Sequence, residues 1–567
     1  MSKNFVTKLA LSGLLALFLV AGMSVFSGAA FAAPPDPQPL PATGNCYRDN
    51  IFYGAVPPGG QNSPVLVFVH GYSGLAIDWW LRMPPYFDND SYERAYNAGY
   101  RTAFVNLNVD PAAANCAVAR TPAKSVIYNG YVLGQQLAAI TQYYGVAKVD
   151  LVAHSKGGID SQSAILWFGG AARVRNVFTL STPHQGSLLA DLLWSPQGAA
   201  LGWLLGRRDD GTWSIRTGPM QLYRSIADVS TVDDSIHYYS AAGTEWRNGG
   251  TALGLTGAWL EAQPTGGIND GAVTVNSTYL PYATVLFQQP WNHLQMYMGR
   301  NSFPYILAVL QGNAASTPPD GQSPAAPANQ RSLFLPSLGK GYRPAMPAPV
   351  NPLMLSSIVH GGSLQAPLHE EIPVEPQVRS VRFSLYTVGA GLDAAMVGPD
   401  GTVYPFTTAP AAAYGLPPMA AVQQVTVQQP GAGGWQLRVD SQTAGGYLLT
   451  ADLDSPLSVR LEGLPDRVLS PGETLHLRAT SGPAGSVAQQ LTVQLSSAAG
   501  NITTQSANAA NLDASLPRQQ GYYGVSVAVK GTTGGFPFER TWVSSAAVID
   551  LATLSGDPWQ LDQLQQP

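Results

Sequence analysis

The sequence predicts an α/β domain with a mostly parallel sheet, followed by two all-β, sandwich-like domains. Between Val65 and Gln311, short apolar segments alternate with helical segments, which is the pattern of parallel strands joined by crossover helices. A Pro-, Ala- and Ser-rich stretch, "NAASTPPDGQSPAAPANQ", then interrupts this pattern. Beyond Pro352, apolar and polar residues alternate between Gly and Pro turns, which is typical of β-sandwiches.

Six segments of the first region are predicted strands because they are short, apolar and rich in β-branched or aromatic residues. They are Val65–Val69, Thr102–Leu107, Val149–Ala153, Asn176–Ser181, Ile236–Ala242 and Thr284–Phe287. A helix is predicted between the second and third strands, where apolar residues recur at helical spacing: Leu133, Leu137, Ile140 and Tyr144.

With 567 residues, the chain exceeds the size at which one hydrophobic core stops growing. We therefore expect several segments: a signal peptide at 1–32, a catalytic domain at 33–312 with an insertion at 188–213, a linker at 313–351, β-sandwich modules at 352–454 and 455–550, and a tail at 551–567. The second module is expected to be immunoglobulin-like.

The composition argues against one class of partner. Charged residues make up only 11% of the chain, the formal net charge is −5, and Lys and Arg are not clustered anywhere. Nucleic-acid-binding proteins carry a basic patch that neutralises phosphates. We therefore predict no nucleic-acid partner.

The N-terminus resembles a secretory signal. Lys3 and Lys8 precede an uncharged apolar stretch, and the small residues "AFA" at 30–32 suit cleavage near Ala32. The alternative is an uncleaved membrane anchor, because Leu9–Ala33 is 25 uncharged residues long and could span a bilayer. We favour cleavage, which places the protein outside the cell or in the periplasm.

The chain has two cysteines, Cys46 and Cys116, and both lie beyond the predicted cleavage site. In an oxidising compartment, a single disulfide between them is the simplest use. Two cysteines without a nearby pair of histidines make a poor metal site, and neither has a neighbour that would activate a thiol.

Ser155 lies in the segment "VDLVAHSKGGIDSQ", between a predicted buried strand and a predicted helix. A tight strand–turn–helix corner of this kind lifts a serine hydroxyl above the sheet, where a substrate can reach it. Gly157 and Gly158 would let the helix pass close to the strand. The pattern departs from G-x-S-x-G in having Ala153 at the first glycine position.

A nucleophilic serine needs a base, and the base needs an orienting acid. His293 follows the last predicted strand. Asp270 lies on a turn between the last two predicted strands. In enzymes that place a nucleophilic serine at such a corner, the catalytic residues follow the chain order serine, acid, histidine, and this sequence has the same order. Ser155, Asp270 and His293 are therefore the predicted catalytic residues.

Alternatives exist for the acid and the base. "NDG" around Asp270 is also an ordinary turn signal, and Glu245 is the second candidate for the acid. His184, in "STPHQGS", is an outside candidate for the base. His237 lies inside a predicted strand and is expected to be a packed histidine.

Two backbone N–H groups are predicted to stabilise the oxyanion. One belongs to Lys156, directly after the nucleophile, and the other to Tyr72 in "HGYSG", which follows the first predicted strand.

Five motifs together, "HGYSG", "AHSKGG", "STPHQGS", "NDGAVTV" and "NHLQM", resemble the secreted bacterial lipases and esterases of the α/β-hydrolase superfamily. The resemblance covers about Pro64–Leu310 and implies the same catalytic residues and oxyanion donors. Many such lipases have an acidic calcium-binding residue near the catalytic histidine, but "NHLQM" has none, so no metal or cofactor is predicted. A lysine beside the nucleophile is unusual in these lipases, and the Lys156 side chain is expected to influence which acyl groups are accepted.

The insertion 188–213 is apolar in its first part and ends in "RRDDG". Two interpretations fit: a fixed, packed helical cap, or a mobile lid over a lipid-accepting pocket.

These observations predict a secreted serine hydrolase that cleaves lipid-type carboxylic esters through an acyl-enzyme on Ser155. Its partners would be an ester substrate and a lipid interface, and the β modules would bind an unidentified surface or polymer. The alternatives are an acyltransferase or polyester depolymerase on the same fold, and a non-catalytic surface-binding protein in which the β modules carry the function.

Overall fold

The computed structural model describes residues 33–83, 87–116, 121–204, 207–248, 250–312, 352–364, 368–388, 393–409, 420–440 and 445–564. The signal peptide and linker predicted at 1–32 and 313–351 lie outside these residues. Pro37–Pro567 form one compact unit, and every element given below lies within it.

In the first part of this unit, up to residue 312, the described residues form ten strands: β1 (Gln38–Pro39), β2 (Ile51–Tyr53), β3 (Val65–Val69), β4 (Arg82–Met83), β5 (Phe87–Asp88), β6 (Arg101–Val105), β7 (Val149–His154), β8 (Val174–Leu180), β9 (His237–Gly243) and β10 (Thr284–Gln289). Eight of them form one sheet in the order β1-β2-β6-β3-β7-β8-β9-β10, and β4 pairs with β5 separately. From β6 to β10 the sheet is parallel, as predicted, and all six predicted strands belong to it. The short strands β1 and β2 add an antiparallel edge that was not predicted.

Nine helices accompany these strands in the described residues: α1 (Ser91–Asn97), α2 (Val126–Tyr144), α3 (Lys156–Trp167), α4 (Leu188–Trp194), α5 (Ala199–Leu204), α6 (Asp210–Ser214), α7 (Thr217–Ala227), α8 (Gly250–Ala262) and α9 (Gly299–Leu310). The predicted helix is α2. It begins where the Ser125 hydroxyl accepts a hydrogen bond from the Tyr128 N–H and ends at Gly145, whose φ of 63° is in the left-handed region.

The sheet is apolar on both faces because helices cover both. Alternate residues of β3 point to opposite sides: Val65, Val67 and Val69 pack into one cluster, and Leu66 and Phe68 pack into the other. This burial explains why the strands read as continuous apolar runs. Cys46 and Cys116 form the predicted disulfide beside the first cluster.

In the C-terminal region, the described part of residues 352–564 contains seventeen strands: β11 (Leu353–Leu355), β12 (Ser357–Leu364), β13 (Leu368–Val374), β14 (Ser380–Val388), β15 (Asp393–Val397), β16 (Val403–Pro405), β17 (Thr407–Ala409), β18 (Ala420–Gln428), β19 (Gly433–Asp440), β20 (Gly445–Asp454), β21 (Ser458–Glu462), β22 (Thr474–Gly482), β23 (Ser486–Ser496), β24 (Ile502–Ala507), β25 (Asn511–Ser515), β26 (Gly521–Thr533) and β27 (Phe536–Val548). They form four antiparallel sheets, ordered β12-β20-β14-β18-β17, β13-β19-β15-β16, β11-β21-β22-β25 and β24-β23-β26-β27.

The first two sheets enclose one apolar core and the last two enclose another, so the region consists of two β-sandwiches, as predicted. The short strand β11 departs from chain order. It precedes the first sandwich in sequence but pairs with β21 in the second.

The predicted tail contains a helix, α10 (Pro558–Leu564). Its Trp559 ring contacts the rings of Tyr131 and Phe168, and Asp562 accepts a hydrogen bond from Ser125 at the start of α2. The end of the described chain is therefore packed on the first domain. No helix among the described residues has the length and apolar character needed to cross a membrane.

The two sandwiches are joined by a cluster of charged side chains around the buried Glu539. The His360 ring in β12 is hydrogen-bonded through Nδ1 to Glu370 at 3.2 Å and through Nε2 to Glu539 of β27 at 3.1 Å. Glu539 also receives Lys530 Nζ at 3.1 Å. Burial disfavours the charged imidazole, but the bonds to the two carboxylates outweigh it and raise the pKa of His360 to about 9.

This junction predicts a specific pH dependence of stability. A folded-state pKa above the unfolded value of about 6.5 gives a contribution that is complete below pH 6.5 and lost as the pH rises through about 9. His360→Asn should therefore lower the free energy of unfolding clearly at pH 6 and little at pH 9.5, as measured by urea denaturation.

His476→Asn provides the matched control, because His476 is also bonded to a carboxylate, Asp513, but is highly exposed. It should change stability little at either pH. A pH-independent loss in His360→Asn would mean that the junction depends on packing and not on the imidazolium.

Candidate active site

Ser155 occupies the corner between β7 and α3. Its backbone has φ 53° and ψ −132°, a conformation that residues other than glycine rarely adopt. The helix passes so close to the end of β3 that a Cβ on Gly157 would lie 2.3 Å from the His70 carbonyl oxygen. Only glycine fits at position 157. At position 153, the methyl group of Ala153 is fully buried within the sheet.

Asp270 and His293 lie on loops that follow β9 and β10. His293 Nδ1 is 2.8 Å from Asp270 Oδ2, and the His293 N–H donates to the Asp270 carbonyl at 2.9 Å. The other carboxylate oxygen accepts the N–H groups of Ala272 and Val273 at 2.9 and 2.8 Å. Because the carboxylate accepts from Nδ1, that nitrogen carries the proton and Nε2 is left as a base.

Ser155 and His293 line the same cavity, which has a volume of about 460 Å³. Its wall is mostly apolar. The insertion contributes part of that wall, and the lining includes Leu189, Ala190, Leu193, Thr212, Ile215, Val273, Leu294 and Tyr297.

The loop after β3, residues 70–74, forms the opposite wall. His70 Nε2 accepts the Leu107 N–H at 2.9 Å, so Nδ1 must carry the ring proton, which it donates to the Gly71 carbonyl at 2.7 Å. The Gly74 N–H donates to the same oxygen at 3.1 Å. Burial lowers the pKa of His70 to about 4, so the ring stays neutral and keeps this tautomer.

These bonds fix the orientation of the peptide between Gly71 and Tyr72. In a trans peptide the N–H points away from the carbonyl, so the Tyr72 N–H points away from His70. Within the described part of the chain, this N–H has no protein acceptor. The loop is also close to the nucleophile, because a Cβ on Gly71 would lie 2.8 Å from Ser155 Cβ.

The Lys156 side chain does not reach the cavity, so the expectation that it influences acyl selection is wrong. It is 1% exposed, and its Nζ is 2.7 Å from Asp160 Oδ1, one turn along α3. Burial raises the pKa of Asp160 to about 6, and the Lys156 ammonium partly opposes this shift. The buried lysine is satisfied by its own helix, while the Lys156 N–H remains at the helix N-terminus, next to Ser155.

His154 lies beneath His293. Its Nε2 donates to the His293 carbonyl at 3.0 Å, and the two ring centroids are 4.6 Å apart. Burial, followed by the neighbouring His293, holds the pKa of His154 well below 6.5. A neutral ring therefore supports the loop that carries His293.

The alternative candidates lie elsewhere. The Glu245 carboxylate is bonded to the Arg247 N–H and lies near its guanidinium. His184 is fully buried, beside the Thr179 hydroxyl. His237 was expected to be a packed histidine but is exposed. It is the first residue of β9 and not an interior one, so the sheet does not cover its side chain.

Comparison with solved structures identifies the fold. The structure is similar to Bacillus licheniformis lipase BlEst2 in its propeptide form, with a TM-score of 0.65 and 26% identity over 88% of this chain and 97% of that chain. The mature form of that lipase is 36% identical over 46% of this chain and 97% of that chain, with a TM-score of 0.39. No family model matches the chain, and no curated protein matches it.

The chain has the α/β-hydrolase fold. In this fold, the predicted nucleophile Ser155 and base His293 line one cavity, and the predicted acid Asp270 is hydrogen-bonded to His293 behind it. Lys156 directly follows Ser155, and Gly71, which precedes Tyr72, lies against Ser155. Sequence reasoning missed three supporting residues: His70, His154 and Asp160. Two of them had a visible signal, because His70 and His154 directly precede the glycine of "HGYSG" and Ser155, where a polar residue at the end of an apolar strand needs a hydrogen-bonding partner.

The neutral state of His70 predicts an effect of acid on stability. In the unfolded chain the imidazole takes up a proton near pH 6.5, whereas in the fold it does so only near pH 4. Stability is therefore lost as the pH falls from 6.5 towards 4, by about 1.4 kcal/mol per pH unit for one proton.

His70→Asn removes this titration, while its amide can still donate to the Gly71 carbonyl. Urea unfolding between pH 4.5 and 7 should show a shallower fall in stability for the variant, by up to about one proton. Parallel curves for the two proteins would contradict the buried neutral state of His70.

Proposed function

We propose that the protein is a secreted serine ester hydrolase of the lipase and carboxylesterase type, acting through an acyl-enzyme on Ser155. The observation that carries the proposal is the hydrogen bond between His293 Nδ1 and buried Asp270, at a cavity that also contains a serine with positive φ. Similarity to a Bacillus licheniformis lipase supports the ester substrate class. The disulfide is consistent with secretion.

In the proposed mechanism, His293 Nε2 takes the proton of Ser155 Oγ as the oxygen attacks the ester carbonyl. Asp270 accepts the hydrogen bond from Nδ1–H, remains ionised and stabilises the imidazolium that forms. The Tyr72 and Lys156 N–H groups donate to the oxyanion. His293 then gives its proton to the departing alcohol, and water releases the acid by the same steps in reverse.

The mostly apolar wall suits the acyl part of a lipid-type ester, because burying apolar surface contributes about 25 cal/mol per Å². The alternatives, an acyltransferase with an alcohol as the acyl acceptor and a depolymerase with a polyester as the acyl donor, would use the same acyl-enzyme. Adding an alcohol to the assay, or supplying a polymer film, separates these reactions by their products.

The catalytic assignment predicts a ranking of variants. Ser155→Ala should abolish hydrolysis of p-nitrophenyl esters and labelling by a fluorophosphonate probe, with the fold intact. Asp270→Asn should lower kcat by up to about 10⁴-fold, because it presents the wrong partner to Nδ1. Glu245→Gln is the matched control and should keep most of the activity.

Residual turnover above a few percent in Ser155→Ala would reject the nucleophile. A larger loss in Glu245→Gln than in Asp270→Asn would move the acid to Glu245. Absence of probe labelling in the unaltered protein would favour the non-catalytic, surface-binding alternative.

The proposal extends to the C-terminal region, as a cover that controls access to Ser155. Helix α4 lines the cavity through Leu189, Ala190 and Leu193. Its Leu188 and Leu192 pack with Val543 of β27 in one apolar cluster. The similar lipase of known structure is described in a propeptide form that aligns with most of this chain.

Further contacts bind the insertion and α7 to the same region. Ser496 Oγ donates to the Trp194 carbonyl at 3.0 Å, and the Gly218 N–H donates to Ser545 Oγ at 2.7 Å. The approach at Gly218 is close, since a Cβ there would lie 2.7 Å from the Ala546 backbone. These contacts favour a cap held in place by the C-terminal region over a lid that opens freely.

Release of that region should therefore change activity. A specific protease site placed within 313–351 allows the uncut and cut proteins to be compared in detergent. Cleavage followed by separation of the two pieces should raise activity on long-chain esters, because α4 loses its partner in β27. Unchanged activity after complete separation would mean that the cap is fixed by the first domain alone.

A further inference from the structure

The Tyr72 side chain joins the loop at the candidate oxyanion hole to the insertion. Its hydroxyl donates to Asp209 Oδ2 at 2.8 Å, across 137 residues of sequence. Arg207 adds to this contact, with its guanidinium 5.7 Å from the centre of the Tyr72 ring and a long bond of 3.4 Å to the Ser73 hydroxyl. Tyr72 and Ser73, the two residues directly after Gly71, are thus both bonded to residues of the insertion.

Asp209 is itself held rigidly. Its second oxygen accepts the Thr212 N–H at 2.9 Å and caps helix α6. The Thr212 hydroxyl donates to the Arg207 carbonyl at 2.6 Å and accepts the Trp194 indole N–H at 3.1 Å. A continuous set of hydrogen bonds therefore runs from Tyr72 through α6 to the end of α4.

The hydrogen bond between Tyr72 and Asp209 matters because of the place that Tyr72 occupies. Tyr72 lines both the cavity that contains Ser155 and a second cavity of about 290 Å³, which is lined in part by Asn108, Thr121 and Arg207. Without the bond to Asp209, the ring could swing into either space. Its backbone N–H would then no longer be held beside Ser155.

We propose that Asp209 is a positioning residue for ester hydrolysis. Through the Tyr72 hydroxyl it fixes the side of the loop that His70 does not reach, so that the Tyr72 N–H faces the developing oxyanion. This inference rests on the proposed function and adds to it a role for the insertion: the insertion completes the oxyanion hole in addition to covering it. No step of the reaction uses the Asp209 carboxylate as an acid or a base.

The decisive variant is Tyr72→Phe, which keeps the ring and leaves the cap on α6 intact. Because donors displaced from the oxyanion lose transition-state stabilisation, kcat should fall by about 10- to 100-fold while KM stays within about twofold. A trifluoromethyl ketone, which forms an oxyanion on Ser155, should bind more weakly by a similar factor. An ether analogue without a carbonyl should bind as before.

Asp209→Ala should reproduce the loss in kcat, and the double variant should be no worse than Asp209→Ala, because the two residues act through one bond. Asp209→Asn, which retains an oxygen acceptor, should restore part of kcat. Lys124→Met is the matched control: its Nζ is bonded to Asp210 of the same helix at 3.2 Å, but it does not touch the loop. It should keep kcat unchanged.

The outcomes separate this proposal from the function on which it rests. If the unaltered protein hydrolyses esters but Tyr72→Phe keeps kcat within twofold, the positioning role is overturned and the hydrolase function stands. If the unaltered protein hydrolyses no ester, the proposed function fails, and this inference fails with it. If Tyr72→Phe is found unfolded by circular dichroism, Asp209→Ala decides: wild-type kcat together with wild-type affinity for the ketone overturns the proposal.

Discussion

The close contact between α3 and the end of β3 is the constraint on which the rest of the site depends. Gly157 lies against the His70 carbonyl, and Gly71 lies against Ser155. With any side chain at either glycine, the helix and the loop would have to move apart. The nucleophile, its neighbouring N–H group and the loop with the second candidate donor would then no longer face one another.

This contact also explains why the polar groups around the site are neutral or internally paired. Elements packed so closely shield these side chains from bulk water, so each buried polar group needs a protein partner. His70 and His154 meet the requirement as neutral rings bonded to backbone carbonyls. Lys156 meets it with a carboxylate one turn away. Tight packing and low pKa values for the histidines thus have a common cause in the exclusion of solvent.

The sequence was sufficient for the parallel sheet, the serine corner and the chain order of the candidate triad, because each depends on local pattern. Val149–Ala153 reads as a buried strand, and the two glycines after Ser155 have one steric explanation at a corner. The sequence could not reveal the partner of Lys156, since a lysine beside a nucleophile can point toward solvent, substrate or its own helix. Nor could it reveal that Tyr72 reaches Asp209, because nothing local relates residues so far apart.

The largest gap between sequence and structure concerns the C-terminal region. Alternating apolar residues predicted its two sandwiches correctly, yet they could not show that surfaces of both would pack against the insertion. Strand β27 contacts Gly218 of α7 through Ser545 and Ala546, small residues that look like ordinary strand residues in the sequence. Docking surfaces built from small side chains leave no pattern that periodicity can detect.

The pairing of β11 with β21 has a mechanical consequence. In sequence, the first sandwich (β12 to β20) is inserted between β11 and β21, which are neighbouring strands of the second sandwich. The chain therefore enters the first sandwich from the second and returns to the second on leaving it. Any tension applied through the chain that precedes Leu353 is carried first by the β11–β21 ladder, and the first sandwich is bypassed. During synthesis the order is reversed: the inner sandwich is complete while the outer one still awaits β22 to β27. The first sandwich is thus the first to be completed during synthesis, whereas the second is the one that carries an applied tension.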